Sequence, residues 1–90
     1  MKIQLVFEAL SDTTRRRILE LLKEQELSVS EIAAHFDITG ASLSHHLAKL
    51  KAADLVTTRR QGQQIFYAIH TSVFEDMATF SANFFSKKEK

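Results

Sequence analysis

The chain has no cysteine, no proline and no tryptophan, and only two glycines among its 90 residues. The lack of cysteine excludes a disulfide framework and any thiolate metal site, and it fits a reducing compartment. No apolar run approaches the roughly 18 residues of a membrane span. The N-terminus carries Lys2 but no long apolar stretch followed by a small-residue cleavage site. It does not read as a signal peptide, and the protein is expected in the cytoplasm. Charge of one sign is scarce as well. Twelve Lys and Arg against 11 Asp and Glu leave a formal net charge of +1, which by itself is no argument for a nucleic-acid partner. With no proline, Gly40 and Gly62 are left as the punctuation of the chain. There is no repeat, low-complexity stretch or linker.

What is present suffices for one modest core. At 44% hydrophobic and 26% charged, the chain reads as a single domain over residues 1–90. Small cores leave thin stability margins, so association through an apolar surface is expected. The charges are unevenly placed. Acids crowd the first third (Glu8, Asp12, Glu20, Glu24, Glu26, Glu31 and Asp37), whereas residues 40–64 hold Asp54 alone against Lys49, Lys51, Arg59 and Arg60.

Apolar residues recur at helical spacing over 3–10 (Ile3, Val6, Phe7, Leu10). Asp12 is placed to cap a second helix reaching about Lys23, and residues 24–28 read as a loop. Ser28 or Ser30 caps a short third helix. Asp37-Ile38-Thr39-Gly40 reads as a tight turn before a fourth helix over about 41–53. Short helix, tight turn and longer helix form a helix-turn-helix pattern. The period then changes to two over about 55–69, with Gly62 between two β-prone runs, as in a hairpin. A last helix covers about 71–85, capped by Thr71 or Ser72, and the tail from Lys87 is expected to fray. The fold class is therefore mainly α with one β-hairpin, in the order α-α-α-α-β-β-α of a winged helix-turn-helix.

On a 100° wheel, Leu43, Leu47 and Leu50 of the fourth helix share one side. Ala41, His45 and Ala48 fall opposite, flanked by Ser42, Ser44 and Lys49. This small, polar, acid-free face suits close entry into a major groove, where Ser, His and Lys can donate to base edges or phosphates. Thr39 and the amides at the helix start suit a phosphate. A plain solvated helix surface is the alternative. His46 lies nearer the core side and reads as a structural hydrogen-bonding residue. The hairpin carries Arg59, Arg60, Gln61 and Gln63 around Gly62, a tip suited to a phosphate backbone or minor groove. Arg15-Arg16-Arg17 point in three directions; Arg15 and Arg16 suit either a phosphate or pairing with Glu8 and Asp12, and the pairing is the simpler reading. Val73, Met77, Phe80 and Phe84 form a stripe on the last helix. With Ile3 and Phe7 of the first helix, it is expected to pack against a second copy.

Several segments resemble the ArsR family of winged-helix repressors. They are Phe7-Glu8-Ala9-Leu10-Ser11-Asp12 with Thr14-Arg15-Arg16-Arg17-Ile18-Leu19, then Ser44-His45-His46-Leu47-Ala48-Lys49-Leu50, Ala53-Asp54-Leu55-Val56, and Phe66-Tyr67 at the end of the wing. Within the family the chain looks closest to the SdpR-type autorepressors. The resemblance implies a homodimer joined through the first and last helices, and double-stranded DNA as the partner. Thr13 stands where the family often has proline. Many relatives bind metal through cysteines of the third helix, but Ser30-Glu31-Ile32-Ala33-Ala34-His35-Phe36 has no thiol here. Others use Asp and His ligands on the last helix, which here has Glu75 and Asp76 with His70 only at its edge. No metal or other cofactor is therefore expected. The resemblance also implies relief of repression by a membrane protein that sequesters the repressor.

The expected function is sequence-specific binding of an inverted-repeat operator. A winged-helix protein-interaction module without DNA contact is the alternative, and the acid-poor stretch 40–64 favours DNA. No catalytic constellation is apparent, with His35 and Asp37 the nearest candidate pair.

Overall fold

The computed structural model describes residues 1–86, so the tail from Lys87 lies outside the described residues. Helix α1 spans Ile3–Leu10 and buries Val6 and Ala9. Helix α2, Thr13–Glu24, starts at Asp12, whose carboxylate accepts the Arg15 N–H at 3.0 Å. That backbone hydrogen bond holds the Asp12 carboxyl below its ordinary range. Helix α3, Val29–Ala33, opens with a capping box. The Ser28 hydroxyl accepts the Glu31 N–H at 3.2 Å, and the Glu31 carboxylate accepts the Ser28 N–H at 2.8 Å. Helix α4, Gly40–Ala52, is capped by Thr39, whose Oγ1 accepts the Ser42 N–H at 3.0 Å. The turn before it thus ends at Thr39, and Gly40 is already helical.

The end of α4 has defined geometry. The Leu55 N–H donates to the Leu50 carbonyl and the Asp54 N–H to the Lys51 carbonyl, with Asp54 at φ 60°. These two bonds and a left-handed residue make a Schellman motif, with aspartate in the position that glycine usually fills. Leu50 and Leu55 are both fully buried, closing the apolar contact that accompanies the motif.

Strands β2 (Val56–Gln61) and β3 (Gln64–Ile69) pair antiparallel, with Gln61 opposite Gln64. Two residues connect them. Gly62 has φ +63°, while Gln63 stays outside the left-handed region. A positive φ at the first central residue alone is the pattern of a type II′ turn, which suits strand twist and favours glycine there. A third strand, β1 (Leu27–Ser28), pairs with β3 and gives the antiparallel order β1-β3-β2. The expectation of a loop over 24–28 and of a sheet limited to the hairpin is corrected here. A two-residue strand is too short to show alternation, and only its pairing with Phe66 and Tyr67 reveals it.

Ile18, Ile32, Leu43, Leu47, Leu50 and Leu55 form the centre of one core. Helix α5, Thr71–Phe85, buries only Val73. Its N-cap is His70, without a side-chain cap bond, rather than Thr71 or Ser72. His70 lies with Nδ1 2.9 Å from the Asp54 carbonyl and Nε2 3.1 Å from the Ser72 hydroxyl. The molecule is elongated, 57 × 24 × 20 Å. Among the described residues no helix is long and apolar enough to cross a membrane.

Candidate nucleic-acid interface

Capping by Thr39 and burial of Leu43, Leu47 and Leu50 fix which side of α4 meets solvent. Ala41, Ser44, His45 and Ala48 are exposed, and Ser42 and Lys49 are half-buried at the margins. Thr39 is exposed; its oxygen serves the cap, while its hydroxyl proton remains available to a phosphate. Lys49 and Lys51 lie in the last turn. The face is shallow where Ala41, Ser44 and Ala48 sit, so a second surface can approach the backbone closely, with His45 as the largest projection.

The wing is less free than its sequence suggests. Arg59 donates through Nε and Nη2 to the two carboxylate oxygens of Glu26, both at 2.8 Å, and through Nη1 to Gln61 Oε1 at 2.7 Å. Its guanidinium also lies 4.6 Å from the centre of the Phe66 ring. Register explains this. Arg59 on β2 is paired with Phe66 on β3, and Glu26 precedes β1 on the far side of β3. The Arg59 hydrogen bonds hold the Glu26 carboxyl below its ordinary range, and Glu26 pushes the Arg59 pKa up. In the chain alone, the Arg59 guanidinium expected at a phosphate backbone or minor groove is thus engaged in an exposed bidentate pair with Glu26. Arg60, opposite Ile65, and Gln63 are exposed and have no side-chain partner among the described residues. Glu26 is the residue the sequence reading missed. No local signal marks it, because its partner lies 33 positions away.

The arginine run at the start of α2 also differs from expectation. Neither Arg15 nor Arg16 pairs its guanidinium with the Glu8 or Asp12 carboxylate. Arg15 Nε donates to the Ala9 carbonyl at 2.8 Å and Nη2 to the Glu8 carbonyl at 3.2 Å. Arg16 Nη1 donates to the Leu10 carbonyl at 2.6 Å. The last carbonyls of α1 lack helical partners, and the tight Ser11-Asp12 connection brings these side chains onto them. Arg17 instead lies 4.9 Å from the Phe36 ring centre. His46 is a half-buried residue whose Nδ1 is 3.1 Å from Arg15 Nη1.

A separate apolar surface runs from α1 to α5. Phe7 is 57% exposed and Phe84 72%, and Phe80 stands between them, 6.4 Å from one ring centre and 5.0 Å from the other. Ile3 and Met77 are half-buried beside this stripe. Val73, expected at the same surface, is only 7% exposed and belongs to the core of its own chain. It has little area left for a second copy. Among the described residues no three His, Cys, Asp or Glu side chains are grouped to hold a metal ion.

A helix-turn-helix with an acid-free exposed face on its second helix, followed by a β-wing, defines the class of winged helix-turn-helix regulators. The family profile described as "Bacterial regulatory protein, arsR family" matches residues 12–58. The transcriptional repressor SdpR of Bacillus subtilis is 45% identical over 82 residues, which are 91% of this chain and 91% of that one. An ArsR-like transcriptional regulator from a Rhodococcus species superposes with a TM-score of 0.81 at 30% identity, over 90% of this chain and 76% of that one. The transcriptional activator HlyU of Vibrio cholerae is 33% identical over 84% of this chain and 70% of its own length. A solved HlyU structure superposes with a TM-score of 0.75 at 29% identity, over 96% of this chain and 94% of that one. The chain belongs to the ArsR family. It is a transcriptional regulator rather than an enzyme.

Proposed function

We propose that the chain acts as a homodimeric repressor that binds an inverted repeat in double-stranded DNA in the cytoplasm, without a metal cofactor. The observation that carries this reading is the exposed, acid-free face of α4, where Ala41, Ser44 and His45 rise from a helix anchored by Leu43, Leu47 and Leu50. Ser44 and His45 read base edges in the major groove, with Ser42 and Lys49 at the margins. Thr39 and Arg60 hold phosphates, and Gln61 and Gln63 flank the backbone at the wing tip. The Phe7–Phe80–Phe84 stripe supplies the two-fold contact, with Ile3 and Met77 beside it, and a two-fold dimer reads half-sites about one helical turn apart or a little more. Repression rather than activation is supported by SdpR, a repressor 45% identical over nine-tenths of both chains, against 33% for the activator HlyU.

The test is fluorescence anisotropy of the protein with a duplex from upstream of its own gene and a scrambled duplex, each titrated with salt. Preference for the first duplex that weakens with salt supports the reading. Absence of binding to both at low salt overturns it in favour of a protein-interaction module.

A further inference from the structure

The DNA-facing surface makes no use of Arg15, the buried charged side chain among the described residues, at 8% exposure. It has no carboxylate partner within salt-bridge distance among them. Instead it joins three helices. Nε and Nη2 are docked on the Ala9 and Glu8 carbonyls of α1, and Nη1 lies 3.1 Å from Nδ1 of His46 on α4. A guanidinium only donates, so Nδ1 must accept, and the imidazole in this arrangement is the neutral tautomer protonated at Nε2. Asp12 Oδ2 lies 3.7 Å from the same nitrogen while also capping α2. The His46 side chain is 14% exposed, and the next residue toward the N-terminus, His45, stands on the reading face.

We propose that Arg15 is a positioning residue for the reading helix. Anchored on α1, its guanidinium grips neutral His46 and sets the rotation at which α4 presents Ser44 and His45. This role rests on the DNA-binding reading above. Leu43, Leu47 and Leu50 hold α4 to the core, but apolar contact is non-directional. A hydrogen bond from a charged donor carries direction as well as strength. The same geometry gives the contact a second state. Protonation of His46 at Nδ1 removes the acceptor, sets like charge against Arg15, and turns the new N–H toward Asp12. The charged and titratable groups facing the imidazole are Arg15 and Asp12 from α2 and His45 from its own helix. From α1, Glu8 is exposed and contributes its carbonyl to Arg15. Nδ1 cannot accept from Arg15 and carry a proton at once, so the Arg15 anchor depends on the neutral form of the ring.

The experiment compares wild type, His46→Gln and His46→Leu between about pH 5 and 8. Anisotropy is read on a duplex selected for binding from a random pool and on its scrambled counterpart, beside imidazole nitrogen NMR of the free wild-type protein. Glutamine keeps an acceptor for Arg15 and does not titrate; leucine removes the acceptor. Near neutral pH, NMR should find His46 protonated at Nε2. Preference for the selected duplex should fall about tenfold in wild type on acidification. The Gln variant should keep its preference across the range, and the Leu variant should lack it already at neutral pH. Any pH effect on the scrambled duplex should be shared by all three, because the variants differ only at His46. A His46 ring protonated at Nδ1 at neutral pH, equal pH dependence of wild type and Gln variant, or full preference in the Leu variant overturns the positioning role while leaving DNA binding intact. A random pool that yields no bound duplex overturns the DNA reading itself, and the positioning role with it.

Discussion

The two wing arginines stand in different electrostatic situations, and the salt dependence of DNA binding separates them. Each side chain that neutralises one phosphate contributes about 0.9 to the slope of log affinity against log salt. Arg60 is exposed and without a partner among the described residues, so its full charge is available. A two-fold dimer presents it twice, and Arg60→Ala should flatten the slope by about 1.8. Between 50 and 200 mM salt, wild type should then lose about twelvefold more affinity than the variant. Arg59 is held by both oxygens of Glu26 and covers Phe66. Glu26→Gln removes the competing carboxylate and frees that guanidinium, so this variant should steepen the slope, approaching the same amount in the opposite direction. The assay is anisotropy at several salt concentrations, on specific and scrambled duplexes alike. A slope for Arg60→Ala equal to that of wild type refutes its assignment as the free wing donor. An unchanged slope for Glu26→Gln refutes the masking of Arg59.

Phe84→Asp sets a carboxylate in the apolar stripe at a residue that is 72% exposed in the single chain. It should raise the dimer dissociation constant on the order of a hundredfold without loss of helicity; a variant that still sediments as a dimer removes this part of α5 from the interface. Asp54→Gly relieves a left-handed backbone that costs a residue with a side chain about 1 kcal/mol, while the Lys2–Asp54 pair it removes is exposed and contributes little. The melting temperature should rise by about 4 °C or more, and a fall would show that the aspartate side chain outweighs the backbone strain. Asp12→Ala removes the α2 cap and should cost about 1 kcal/mol at neutral pH. Because folding lowers the Asp12 pKa below 3.8, that stabilisation is complete above the ordinary carboxylate value and is lost as pH falls through the lower folded one. Urea midpoints of wild type and variant should therefore converge on acidification, and a deficit independent of pH would refute the carboxylate as its source.

The helices were legible because their evidence is local. Leu43, Leu47 and Leu50 recur at helical spacing, and Asp12 and Gly62 occupy positions whose backbone needs suit those residues. The exposed face of α4 follows from the same wheel that finds its core side. Strand β1 was not legible, since Leu27 and Ser28 become a strand only by pairing with Tyr67 and Phe66 some 40 positions later. The state of Arg59 was hidden for the same reason. The stripe on α5 showed which residues share a face, but periodicity has no means of dividing it between the chain's own core, which takes Val73, and the outside, which receives Phe84. Arg15 misled in another way. Nearby carboxylates suggested ion pairs, whereas the guanidinium docks on the Ala9 and Glu8 backbone carbonyls at the end of α1.

The last turns of α5 carry Phe84 and Phe85 beyond the body of their own chain, 72% and 85% exposed. If that segment pairs with a second copy as proposed, the stability of the fold is tied to the concentration of the chain itself.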